Sequence, residues 1–273
     1  MGPSAAAALA RSGHRVTLYE AGTIPNPRGA SCDEHRAIRT AYGPSRGYMR
    51  MARLAYAAWD RLWAELGMSH YHETGLLMVR SPGSPPRGPM LIDFQGESGF
   101  HLPPPVAGTG LKAGDHRFTL QGDPEGDPRR PAPADWVAIE AACARRLARF
   151  DAFRRGTARI CFCACTPDEG FVLRPLSEPA LLLSACSGHG FKFGALMGEA
   201  AALALDDPDW GWDHAPAWAA GAEDAPAPLR AARRPARGGT GPPRALRLRA
   251  SARRRAAGRR PCRPGPASAC AAG

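Results

Sequence analysis

Leu181-Leu-Leu-Ser-Ala-Cys186, Ser187-Gly188-His189-Gly190-Phe191-Lys192-Phe193 and Ala195-Leu-Met-Gly-Glu-Ala-Ala-Ala-Leu-Ala-Leu205 stand almost end to end in this chain of 273 residues. An apolar run, a turn with two glycines and an alanine-rich periodic run predict a strand, a turn and a helix. Glycine lets backbone turn sharply and approach a neighbour closely, so bare N–H groups at such a junction can meet an anionic ligand. Lys192 adds a cation to the turn. It is one of only two lysines among 36 basic residues, which marks it as a candidate for chemistry rather than solubility.

Upstream, Cys161, Cys163 and Cys165 alternate. On a strand they would share one face and could not form a disulfide framework among themselves. Reduced thiols and a cytoplasmic location are the expectation. Towards the N-terminus, residues 3–12 predict a helix closed by Ser12-Gly13, and residues 15–19 a short buried strand ending at Glu20. Residues 45–67 carry apolar positions at helical spacing with Gly67 as a stop, and residues 75–80 read as a strand. A Pro- and Gly-rich break comes next at 81–89, strands are predicted within 90–118, a polar loop over 121–134 and a helix over 136–150. Strands alternating with helices predict an α/β chain.

The net charge of +11 invites a nucleic-acid reading, but its distribution argues against one. Thirteen arginines fall between Arg230 and Arg263, with no acidic residue after Asp224; removing those thirteen leaves residues 1–224 at −2. The arginine segment lacks interleaved aromatics and any recognition module, so specific nucleic-acid binding is not expected. Its composition predicts disorder, and it also reads like out-of-frame translation of a GC-rich gene. No apolar run approaches the roughly 18–20 residues that a membrane span needs.

These pieces, taken in order, resemble the monomeric sarcosine oxidase and N-methyltryptophan oxidase family, flavoenzymes of the D-amino-acid-oxidase-like group. The resemblance rests on Cys161 with Thr166-Pro-Asp-Glu169, on Ser187–Phe193, on Gly2 with Ala8-Leu-Ala-Arg-Ser-Gly-His-Arg-Val-Thr-Leu-Tyr-Glu20, on Gly29-Ala-Ser-Cys-Asp-Glu-His-Arg36-Ala-Ile-Arg39, and on Gly96, Phe100, Gly110-Leu-Lys112 and His116. It implies FAD held covalently through Cys161, with Glu20 on the adenosine ribose and Gly2, Gly188 and Gly190 along the cofactor. It further implies Arg36 beside the flavin ring, Lys112 where oxygen accepts electrons, and His116 lining the pocket. Arg39 and Lys192 would clamp the substrate carboxylate. Two cations on one carboxylate fix the reacting carbon in place, which is the positional part of such catalysis.

The expected fold is therefore an FAD-binding Rossmann-like domain with a strand-rich remnant of the substrate domain and a disordered tail. The expected division is 1–82 and 126–210 for the two parts of the FAD-binding domain, 83–125 for the remnant, and 211–273 for the low-complexity tail. Gly2 matches the last glycine of a Gly-x-Gly-x-x-Gly loop, so truncation of the first strand, and an internal shortening near 81–90, are also expected. His101 and Cys163 stand where the family usually has tyrosines. The implied activity is oxidation of a secondary amino acid such as sarcosine by O2, giving H2O2, in a monomer without a metal. The alternative is a non-catalytic truncated homologue, or gene-model artefact, that binds no flavin.

Overall fold

A computed structural model of the chain describes residues 1–79, 90–93, 99–115, 122–178, 180–184 and 186–228. His116, the break at 81–89 and the arginine-rich segment after residue 228 lie outside them. The centre of the larger core is helix α4 (Gly194–Asp206), buried on most of its circumference through Ala195, Leu196, Met197 and Ala200–Ala202. Helix α1 (Gly2–Arg11) lies against it through small side chains, with Ala6 and Ala8 buried and Ser4 Oγ donating to the Gly194 carbonyl at 2.7 Å. Small residues permit that close approach, so the alanine-rich sequences of both helices are a packing requirement.

Helix α2 (Arg46–Leu66) is amphipathic and turns Met51, Ala52, Ala55 and Ala58 into the same core. Gly67, with φ at 66°, ends it in the left-handed conformation that sequence predicts for a stop. The antiparallel hairpin of β5 (Val172–Ser177) and β6 (Ala180–Ser184) closes another side with Leu173 fully buried.

A smaller unit is built on a four-stranded sheet, β1 (Leu76–Val79), β2 (Met90–Asp93), β3 (Phe100–Leu102) and β4 (Gly114–Asp115). Only β1 and β2 are parallel. Leu91, Phe100 and Leu102 pack there with Cys143 and Leu147, from helix α3 (Pro133–Ala144) and the turn after it. Asp93, 6% exposed, accepts from the Arg146 guanidinium at 2.7 and 2.8 Å, and that guanidinium lies over the Phe100 ring. A buried carboxylate persists because its charge is matched on the spot.

Five expectations change. Residues 15–19 form no strand, and Tyr19 is 77% exposed: among the described residues nothing pairs with this segment, and a strand without a ladder partner leaves its backbone to water. Correspondingly, the described residues contain no doubly wound parallel sheet. Residues 161–165 are likewise irregular, because their neighbours offer single bonds from two directions, Ile160 N–H to Arg129 O at 3.0 Å and Ser187 N–H to Ala164 O at 2.9 Å. The helix expected over 136–150 begins at Pro133 and ends at Ala144. Residues from 211 onward, placed by composition in the tail, instead complete α5 (Pro208–Asp213) and form α6 (Ala215–Ala219), which bury Trp210, Ala215, Trp218 and Ala219.

The returning segment crosses the start of α2 so closely that a Cβ on Gly47 would lie 1.8 Å from the Gly221 carbonyl oxygen. Gly47→Ala should therefore destabilise the protein by about 1–3 kcal/mol, the range for overpacking, read as a lowered urea midpoint at unchanged slope.

Candidate functional site

The turn at 187–193 packs onto the loop that leads into α2. Gly188 takes φ of +70°, a conformation that favours glycine, and brings His189 and Lys192 round to one side. Gly190 is fixed by packing: a Cβ there would meet Cys186 Cβ at 2.5 Å and Met1 Cε at 2.8 Å, so its smallness serves the fold rather than a ligand. Phe191–Phe193 forms a single 3-10 turn, and the indole N–H of Trp59 on α2 donates to the Lys192 carbonyl at 2.8 Å.

Lys192 is 5% exposed, yet its ammonium group meets no carboxylate. Nζ donates to Tyr42 Oη at 2.9 Å and to the His189 carbonyl at 2.9 Å. Tyr42 Oη lies 3.0 Å from His189 Nδ1, and His189 Nε2 lies 3.1 Å from the Glu169 carbonyl. A carbonyl can only accept, so Nε2 carries the proton and Nδ1 accepts from Tyr42. Lys192, Tyr42 and His189 thus form one directional chain. Arg39 stands beside it, its guanidinium 4.6 Å from the Tyr42 ring centre and donating to the Ala41 carbonyl.

Burial dominates the electrostatics. It lowers Lys192 to about 7, with the Arg39 charge acting in the same direction. It lowers His189 to about 4, helped by Lys192 and Arg39 against the hydrogen bond to Glu169. It also raises Tyr42 well above its ordinary range and lowers Arg39. The expected pair Arg39 and Lys192 is therefore brought together around Tyr42, a residue that sequence reasoning did not single out.

A second group surrounds Asp33. Its carboxylate accepts from Arg36 at 3.0 Å and from the Lys112 ammonium. Burial works to raise the Asp33 carboxyl, and the bond to Lys112 with the Arg36 charge overrides it, holding Asp33 below the usual range. Arg36 also donates to the Ser31 and Ala30 carbonyls, so it shapes its own loop. His35 is lowered by burial and by Lys112, against the charges of Asp33 and Glu34 and the backbone of Pro103.

Arg159 donates to the carbonyls of Cys32 and Pro27, which ties the cysteine segment to this loop. The Cys161 thiol is exposed. Cys163 is pushed up to about 12 by burial and by the neighbouring thiols of Cys165, Cys186 and Cys161. Glu20 is engaged locally, its Oε1 accepting from Gly22 N–H and from Asn26, each at 3.0 Å. Gly2 opens α1, and nothing lies within 4 Å of the position its Cβ would take. Among the described residues no group of His, Cys, Asp and Glu is set to hold a metal, and no helix is long and apolar enough to cross a membrane.

Comparison with known proteins agrees with the N-terminal part of this reading. Residues 1–88 match the family of FAD dependent oxidoreductases abbreviated DAO. Over 103 residues the chain is 34% identical to a monomeric sarcosine oxidase from Bacillus sp. (strain NS-129), a match covering 35% of this chain and 26% of that protein. The matched region thus spans about a quarter of the relative's length.

Proposed function

We propose that this chain supplies the substrate-carboxylate side of an FAD-dependent amine oxidase site, acting on a secondary (N-methyl) amino acid such as sarcosine with O2 as acceptor and H2O2 as product. The observation that carries the reading is Lys192: a buried lysine whose Nζ meets only neutral acceptors, with Arg39 on the same ring. A buried lysine whose Nζ meets no acid leaves a site that an anion would complete, and Arg39 places a second basic group beside it. The chain's similarity to FAD dependent oxidoreductases over residues 1–88 and its partial identity to a sarcosine oxidase support the reaction class.

The residues at the ring end fit the cofactor. Cys161 offers an exposed thiol as the point of covalent attachment, and Arg36 and Lys112 lie across the loop joined to it by Arg159. FAD, when bound, supplies the two-electron chemistry. Arg39 and Lys192 then orient the carboxylate, and the buried surroundings exclude water and strengthen that hold. Lys112 would supply a cation on the ring side, held in place by Asp33.

One observation favours the second reading, a homologue that binds no flavin. Glu20 is committed to its own turn, and among the described residues the only parallel strand pair, β1 with β2, lies away from it in sequence and topology. Incubation with FAD followed by acid precipitation separates the two. Yellow protein whose flavin stays in the pellet is expected, and Cys161→Ser should release that flavin to the supernatant. A colourless pellet from the parent chain would establish the second reading, and acid-stable flavin in Cys161→Ser would refute the attachment point.

A further inference from the structure

The donor count at Lys192 is incomplete in an informative way. A charged lysine has three N–H donors, and Nζ fills two, on Tyr42 Oη and the His189 carbonyl. No acceptor among the described residues takes the third. The groups around Nζ come from four elements: Arg39 and Tyr42 from the loop before α2, His189 from the turn, Cys186 from just after β6, and the Tyr48 ring of α2 stacked on Tyr42. None is a carboxylate. Burial, with the Lys192 and Arg39 charges, keeps His189 neutral, and Arg39 adds a like charge beside Nζ. A two-donor amine matches this surrounding better than a three-donor ammonium, since an uncompensated buried charge is strongly unfavourable.

We propose that the pocket formed by Lys192, Tyr42 and Arg39 is a proton-coupled oxyanion site, in which a small monocarboxylate enters together with one proton that comes to rest on Lys192 Nζ. The step is balanced simply: the lysine lone pair takes a proton, no other bond forms or breaks, and the new N–H points to the carboxylate oxygen. The proposal rests on the carboxylate reading above and deepens it. For an amino-acid substrate the proton has a source at hand, its own ammonium group. Transfer to Lys192 would leave the substrate nitrogen with the free lone pair that oxidation at the adjacent carbon requires. The depressed pKa of Lys192, about 7, sets where the coupling is felt.

Acetate is the probe, since it has a carboxylate and no amine. It is titrated into the full chain by calorimetry at pH 8.5 in two buffers of unlike ionisation enthalpy, and again at pH 6. Uptake approaching one proton per acetate is expected at pH 8.5, with little at pH 6, and affinity should fall about tenfold per pH unit above 7. Lys192→Met should weaken binding and remove the pH slope. The buffer dependence of the unaltered chain decides the matter even if that variant does not fold. Binding with heats independent of buffer and affinity independent of pH between 7.5 and 9 would overturn the proton coupling while leaving the carboxylate site standing. No acetate binding at pH 6, where the ammonium already exists, would overturn both.

Discussion

Replacing Trp218 with alanine should cost about 3–5 kcal/mol of unfolding free energy, the range for removing a large aromatic from a packed core. Trp218 is 1% exposed in α6 and packs beside Trp210 with ring centres 5.9 Å apart. A loss of that size corresponds to a fall in Tm on the order of 10 °C for a core of this length. The indole N–H of Trp218 has no hydrogen-bond partner, so Trp218→Phe removes volume without stranding a polar group and should cost about a third as much. Thermal unfolding followed by circular dichroism checks both. An unchanged Tm for Trp218→Ala would mean that residues 211–228 are not part of the cooperative core.

Stability should also climb with pH from about 4 to about 9, and Lys192 and His189 are the reason. His189 is held near 4 against an ordinary 6.5, and Lys192 near 7 against 10.5. Between each pair of values the unfolded chain binds a proton that the folded chain lacks, so raising the pH favours the folded state. Each group contributes a slope of at most about 1.4 kcal/mol per pH unit within its window. Cys163 works in the opposite sense above about 9, because the folded protein keeps a proton up to about 12 that the unfolded thiol surrenders earlier. The two opposing slopes cancel between pH 9 and 10.5, so stability levels off there. Urea midpoints at pH 5, 7 and 9 measure the climb, and Lys192→Met should flatten the part between 7 and 9 while leaving the lower part intact. A flat profile between 7 and 9 in the parent chain would contradict the neutral lysine.

The elements that sequence predicts well are those whose causes are local. Helix α2 declares itself through apolar residues at helical spacing (Met49, Leu54, Ala57, Trp59, Leu62, Trp63 and Leu66) and through Gly67 after it, although the residues it buries fully are Met51, Ala52, Ala55 and Ala58. Helix α4 and the strand before it arise from two uninterrupted apolar runs. The failures share a cause as well. Residues 15–19 have strand composition, but composition does not supply the neighbour that a ladder needs. Cys161, Cys163 and Cys165 have the alternation of a strand and find only scattered single hydrogen bonds. In residues 208–219, two short helices carry proline in their first turns and bury two tryptophans. That signal is visible in Pro208-Asp-Trp and Ala215-Pro-Ala-Trp, but the arginine-rich composition beyond residue 228 outweighs it when the whole end of the chain is read together.

The site divides along the same line. Lys192 stands out from its turn and from the scarcity of lysine, whereas Arg39, Arg36, Lys112 and Cys161 are named only through the resemblance of their segments to the oxidase family. Tyr42 and Asp33 could not be named, because their partners are distant in sequence: Tyr42 meets His189 and Lys192 across 147 and 150 residues, and Asp33 meets Lys112 across 79. Sequence determined which charged groups exist and the local turn that carries Lys192. Tertiary structure alone decided that Lys192 is buried without an acid while Lys112 is neutralised by one. The difference lies in desolvation and in the sign of the nearest charge, and both are properties of the surroundings that the folded chain builds around a side chain.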